Sequence, residues 1–250
     1  MLAGDDYNWI YAEPDLMGST MIIGGIPPAI VLSNTDNFDI STGGTNSGSA
    51  ASKSIGVFDA NRWTYVLVTT MFGDASTTVT IDAVSVGGIA CENIAAAAGS
   101  GEVSDSGMTR RAEIWRCRTG SGSALDGATT ATIAVTMSAG GANDDLAFSL
   151  YKVVGGYGTY TAFAQAAGND ELSQAITIAT DGAMLACYMG RDNRDISWTN
   201  ATEASDTLCT GGLFKAGAAH RTTAGAVTVS VELIGEVVNI PCAMAMAVLA

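Results

Sequence analysis

The sequence predicts an all-β fold: an antiparallel β-sandwich of jelly-roll type with an extended N-terminal arm. Three observations predict it. β-Branched and apolar residues recur with a period of two, Gly- and Asp-rich turns punctuate the runs, and helical periodicity is scarce.

The first 54 residues read as an arm and a loop, ahead of a sandwich domain over 55–250. Asp5, Asp6, Tyr7, Asn8 and Trp9 make an acidic, aromatic start, and an apolar run over 21–26 precedes Pro27 and Pro28. From 41 to 54 the composition falls to Ser, Thr, Gly, Ala and Asn with little else, the texture of a flexible connection. Aromatic groups on such an arm serve to anchor it on a neighbouring subunit, which makes Tyr7, Trp9 and Tyr11 candidate interface residues; an ordinary N-terminal strand followed by a long loop is the alternative.

From residue 55 onward strand follows strand. The run 63–72 is β-rich and ends before Gly73 and Asp74; 77–86 carries Val79, Ile81 and Val84 ahead of Gly87 and Gly88. In 112–118 Ile114 alternates with Arg116, and Trp115 with Cys117. In 129–137 Ile133, Val135 and Met137 fall on one face, with Thr132, Ala134 and Thr136 on the other. Residues 147–154 set Phe148, Leu150 and Lys152 opposite Ser149, Tyr151 and Val153. The same texture continues through 175–180, 183–189, 226–233 and 243–249. Runs of this kind, many bounded by turn residues, belong to a sandwich or jelly roll. Ala-rich 162–172 suggests a short helical turn broken by Gly168, Asn169 and Asp170, and the 95–98 tract reads as loop or helix turn. No fixed-period repeat is evident, which disfavours a propeller or solenoid.

Composition limits the function. With 11 Lys and Arg against 25 Asp and Glu, the net charge is −14. Binding nucleic acid requires a basic stripe to displace counterions, and docking on anionic lipid requires basic clusters, so neither partner is expected. Arg110, Arg111, Arg116 and Arg118 alternate as on a solvent-facing strand edge. Only 14% of residues are charged, against about 25% in ordinary domains. A surface polar without charge suits a protein packed among copies of itself. No stretch approaches the ~20 apolar residues of a membrane span, and the N-terminus lacks the features of a signal peptide.

The chemistry-bearing residues do not converge. Cys91, Cys117, Cys187, Cys209 and Cys242 have no metal-ligand spacing; they read as reduced, mostly buried thiols. His220 is the one histidine, and no Gly-x-Ser-x-Gly elbow nominates a nucleophile. Asp144 and Asp145 read as turn chemistry, and Asp192 to Asp195 lacks the ligand spacing of a calcium loop. No phosphate-cradling glycine motif is present. The expectation is a non-enzyme with no catalytic residue, cofactor or metal. Tyr157, Tyr160 and Trp198 are the aromatics placed to contact a glycan, against the commoner role of aromatics as core.

Several stretches carry a resemblance: 77–88 (TTVTIDAVSVGG) followed by Ala112, Glu113, Ile114 and Trp115; 147–155, ending Tyr-Lys-Val-Val-Gly; and 197–203 (SWTNATE) followed by closing strands over 222–232 and 243–249. In texture and order they resemble phage and prophage virion proteins with β-sandwich or jelly-roll domains. The resemblance implies a capsid decoration, tail or fibre component, assembled in the host cytoplasm, whose partners are other virion proteins and copies of itself. It carries over no catalytic residue. A carbohydrate-binding module for host attachment is the alternative on the same fold.

Overall fold

The computed structural model describes residues 28–41, 45–72, 80–94, 101–105, 108–138, 145–156, 159–167, 171–190, 194–208, 215–235 and 242–250. Tyr7, Trp9, Tyr11 and Tyr157 lie outside them. All regular structure among the described residues is β-strand.

Among the described residues the first half of the chain contributes ten strands: β1 (Val31–Ser41), β2 (Ser47–Ser54), β3 (Trp63–Phe72), β4 (Ile81–Val86), β5 (Ile89–Ala90), β6 (Glu92–Asn93), β7 (Gly101–Asp105), β8 (Met108–Arg118), β9 (Thr130–Met137) and β10 (Asp145–Val154). Their pairing is that of a long antiparallel hairpin folded on itself. β1 pairs β10, β2 pairs β9, β3 pairs β8 and β4 pairs β5. Two further ladders, β10 with β3 and β9 with β4, roll this ribbon into two sheets. The sheet orders, β1-β10-β3-β8-β6 and β2-β9-β4-β5, are those of a jelly roll.

The second half repeats the plan. Its strands are β11 (Tyr160–Ala167), β12 (Glu171–Ile178), β13 (Ala183–Gly190), β14 (Ile196–Thr199), β15 (Thr202–Leu208), β16 (Lys215–Arg221), β17 (Gly225–Leu233) and β18 (Cys242–Leu249). Again first pairs last, β11 with β18, then β12 with β17 and β13 with β16; the rolling ladders are β13 with β18 and β14 with β17. β15 extends the β16 edge as β6 and β7 extend β8. The chain is therefore two jelly rolls in tandem, joined at Gly155 and Gly156. Gly155 (φ +90) requires glycine, because a Cβ there would sit 2.3 Å from the Ala29 carbonyl oxygen.

The sheets stack in four layers, and side-chain size decides which face meets which neighbour. β18 reads Cys-Ala-Met-Ala-Met-Ala-Val-Leu. Its Ala243, Ala245 and Ala247 point toward the first jelly roll and pack with Tyr65, Leu67, Ile114, Tyr151 and Val153. The intervening Met244, Met246 and Val248 fill the second roll's own core with Ile178, Val229 and Val231. Small residues on one sheet opposite large ones on the other let the two inner sheets approach and interdigitate. The first roll's core lies on the far side of β3 and β10, around Val66, Phe148, Leu150, Ile133 and Val135, where Phe38 stacks on Phe148 at 5.1 Å between centroids. β13 and β18 are consequently buried on both faces, whereas β9 in an outer sheet alternates buried and exposed.

Several expectations are corrected. Val31–Ser41 and Ser47–Ser54 form β1 and β2, and Ser47–Ser54 is an edge strand rather than a loose loop; main-chain pairing with β9 requires no large side chain. Tyr160–Ala167 is a strand on β18, not a helical turn, because pairing in a half-buried sheet overrides the helix propensity of alanine. Arg111 and Arg116 are buried rather than solvent-facing, since β6 and β7 cover the β8 edge. The internal repetition lies in strand connectivity, which alternation and turn length specify without residue identity.

Candidate functional site

The sequence-predicted aromatics are dispersed. Tyr160 begins β11, at one edge of the second roll's inner sheet. Trp198 lies in the outer sheet beside Gly217 of β16. Three ladder steps separate β11 from β16, about 14 Å at ~4.8 Å each. Trp198 packs on the second core, and its indole Nε1 is buried without a hydrogen-bond partner among the described residues. The two do not form one platform.

Tyr160 instead joins a cluster at the seam between the rolls. The Arg116 guanidinium lies 4.7 Å from the ring centroids of both Trp63 and Tyr160, donates a 3.1 Å hydrogen bond to the Tyr65 hydroxyl, and pairs with Glu92. Burial alone would lower the Arg116 pKa, but hydrogen bonding to Tyr65 and Glu92 raises it overall, so the charge is fixed. Tyr160 keeps 37% of its surface exposed, yet one ring face already rests on a cation. This cluster was invisible to sequence reasoning, because Arg116 and Tyr160 come from different halves.

Three other polar constellations are internal ties. Glu113 is 1% exposed. It meets Arg111 at 2.9 Å and accepts hydrogen bonds from Trp115 Nε1 and Asn93 Nδ2, each at 2.9 Å. Desolvation pushes its carboxyl above the usual range, while Arg111 and those donors oppose the shift. Lys215 bridges Asp206 at 2.9 Å and Asp195 at 3.2 Å, so Asp195 is engaged by an ammonium. Arg62, 0% exposed, donates to the carbonyls of Gly56, Ala128, Thr119 and Leu125 and to the Thr119 hydroxyl, at 2.8–3.3 Å. It binds the β2–β3 and β8–β9 connections together.

His220 projects from β16 toward the seam, edge-on to Tyr151 at 5.8 Å. Its Nδ1 is buried without a partner among the described residues, and burial lowers its pKa. Among the described residues no carboxylate hydrogen-bonds its Nδ1, the contact that orients the imidazole of a triad. Among the described residues, an open groove bordered by Phe163, Ile176 and Val227 has the hydroxyls of Thr177 and Thr228 as its polar side-chain groups. Among the described residues no group of three or more His, Cys, Asp or Glu is placed to hold a metal ion.

No protein-family model matches the chain, and no curated protein matches it. The resemblance to virion proteins accordingly rests on residue texture and order.

Proposed function

We propose that the chain is a non-enzymatic structural protein of a phage-type virion, packing into or onto the particle as a capsid decoration, tail or fibre component. The observation that carries this reading is the tandem of jelly rolls stacked through their inner sheets. Jelly rolls recur in viral capsids and in lectins, and the step from fold to particle is an analogy that the assembly experiment must test. Buried Arg62, Glu113, Arg116 and Lys215 all bind parts of the chain to one another. The function then resides in the outer faces and in residues 1–27, where Tyr7, Trp9 and Tyr11 anchor the arm on a neighbour.

The test is mass in solution, by light scattering, of the full chain and of a chain lacking residues 1–27. Deletion to residue 54 would remove β1 and β2 and is unsuitable. A defined oligomer that needs the arm supports the proposal. A monomer in both forms argues against self-assembly and favours glycan attachment, for which the partly exposed Tyr160, sharing Arg116 with Trp63, is an aromatic surface among the described residues. Loss of glycan binding in a folded Tyr160→Ala variant would support that second reading.

A further inference from the structure

Two cysteines far apart in sequence meet where the first jelly roll crosses from its outer to its inner sheet. Cys91 separates β5, on the outer sheet, from β6, on the inner one. β6 pairs antiparallel with β8, Glu92 facing Arg116 and Asn93 facing Trp115. Continued by one residue, that register sets Cys91 opposite Cys117.

The hydrogen-bond phase of the ladder favours a covalent link. Ile94 N donates to Ile114 O at 3.0 Å, which makes 94 and 114 a hydrogen-bonded pair. Two-residue alternation then makes 92/116 hydrogen-bonded, and 93/115 and 91/117 non-hydrogen-bonded. Consistent with this phase, Cys91 N donates across the crossover to Val84 O, at 2.8 Å. Non-hydrogen-bonded pairs bring opposing side chains closest, near the ~3.5–4.5 Å Cβ separation of a disulfide. Both side chains face the first core, Cys117 within it and Cys91 packed against it. Cys117 is buried, while Cys91 is only partly so.

We propose that Cys91 and Cys117 are a latent disulfide that locks the β5–β6 crossover onto β8 when the protein enters an oxidising environment. The oxidant is a low-molecular-weight disulfide such as oxidised glutathione. The Cys91 thiolate attacks one of its sulfurs, giving a mixed disulfide and releasing one glutathione thiolate. Cys117 thiolate then attacks Sγ of Cys91 and expels the second. The two cysteines lose two protons and two electrons, and one oxidised glutathione becomes two reduced ones. Mutual hydrogen bonding and burial push the Cys91 thiol well up, so the first step is slow at neutral pH and accelerates in alkali. This inference is independent of the virion proposal.

The test treats the full chain with oxidised glutathione at a pH of about 9, alkylates residual thiols after denaturation, and maps peptides by mass. The expected result is a cross-linked pair of peptides containing Cys91 and Cys117, two hydrogen masses lighter than the free thiols. A reversible rise in Tm of about 5–10 °C should accompany it, from closing a loop of roughly 25 residues. Cys91→Ser, at the more exposed position, should abolish both changes, and Cys187→Ser should leave both. Recovery of Cys91 and Cys117 fully alkylated, Cys91 carrying only glutathione, or a link from either to another cysteine would overturn the proposal.

Discussion

Replacing Arg62 tests whether its fully buried guanidinium holds the first jelly roll's loops. The side chain makes five hydrogen bonds, four of them to main-chain carbonyls, with no carboxylate among these acceptors. Burial lowers its pKa, and Asp59 partly opposes the shift. A charge-assisted hydrogen bond contributes ~1.5–3 kcal/mol net, but the contributions are not additive, and desolvating the cation offsets part of them. The carbonyls cannot be mutated away. Removing the donor takes this partner from the Gly56, Ala128 and Thr119 oxygens, while the Leu125 oxygen keeps the Ala128 N–H at 3.0 Å. Arg62→Met keeps the apolar stem and deletes the donors. We expect a loss of about 4 kcal/mol, or about 8–16 °C in Tm at ~2–4 °C per kcal/mol. Arg62→Lys, which keeps the charge but reaches fewer acceptors, should lose about half as much. Urea unfolding followed by tryptophan fluorescence measures both. If Arg62→Met matched the unmutated protein, the guanidinium would be offset by its own desolvation and the clamp argument would fail.

Other sites yield further expectations. Ala245→Leu puts branched bulk between the inner sheets, where Ala245 is fully buried, and should cost about 1–3 kcal/mol by denaturant midpoint; Met244→Leu, facing the second core, should cost under ~1.5 kcal/mol. Lys215→Met leaves Asp206 beside Asp195 without the bridging ammonium and should lose about 2 kcal/mol. Glu113 supplies a pH signature. Desolvation raises its folded pKa above 4.5, against Arg111 and its other donors, so the folded state retains the proton longer than the unfolded chain. Its contribution to stability therefore falls as pH rises from 4.5 through the folded pKa and is flat above it. Melting curves of the unmutated protein and Glu113→Gln across that window should show the difference shrinking as pH rises; a growing difference would mean that pairing with Arg111 outweighs burial.

Alternation alone carried much of the fold. In β9 Ile133, Val135 and Met137 alternate with exposed positions as their spacing predicts, because an outer sheet has one wet face. The inner strands were harder to place. Lys152 and Ser149 made β10 look half-exposed, yet Tyr151 and Val153 face the second roll. A second apolar neighbour leaves no distinct mark on a strand already rich in β-branched residues. β2 was missed because Ser and Ala at a sheet edge read as loop. Arg116 was assigned to solvent because its acceptors, Glu92 and Tyr65, lie on other strands, whereas Arg118 is exposed as expected. For the site, the sequence singled out Tyr160 as an aromatic at a loop edge but had no means of pairing it with Arg116. The Cys91 and Cys117 opposition depends on the β6–β8 register, which spacing along the chain does not encode.

The two jelly rolls form one folding unit through the apolar seam of Leu67, Ile114, Tyr151, Leu185 and Ala245. Expressing residues 28–156 and 159–250 separately and together tests this most directly, with dye binding to exposed apolar surface and solution mass as readouts. Each half alone should bind dye and aggregate, and the two together should co-purify in equal amounts with dye binding suppressed. Halves that are monomeric, dye-silent and cooperatively folded on their own would contradict the single unit.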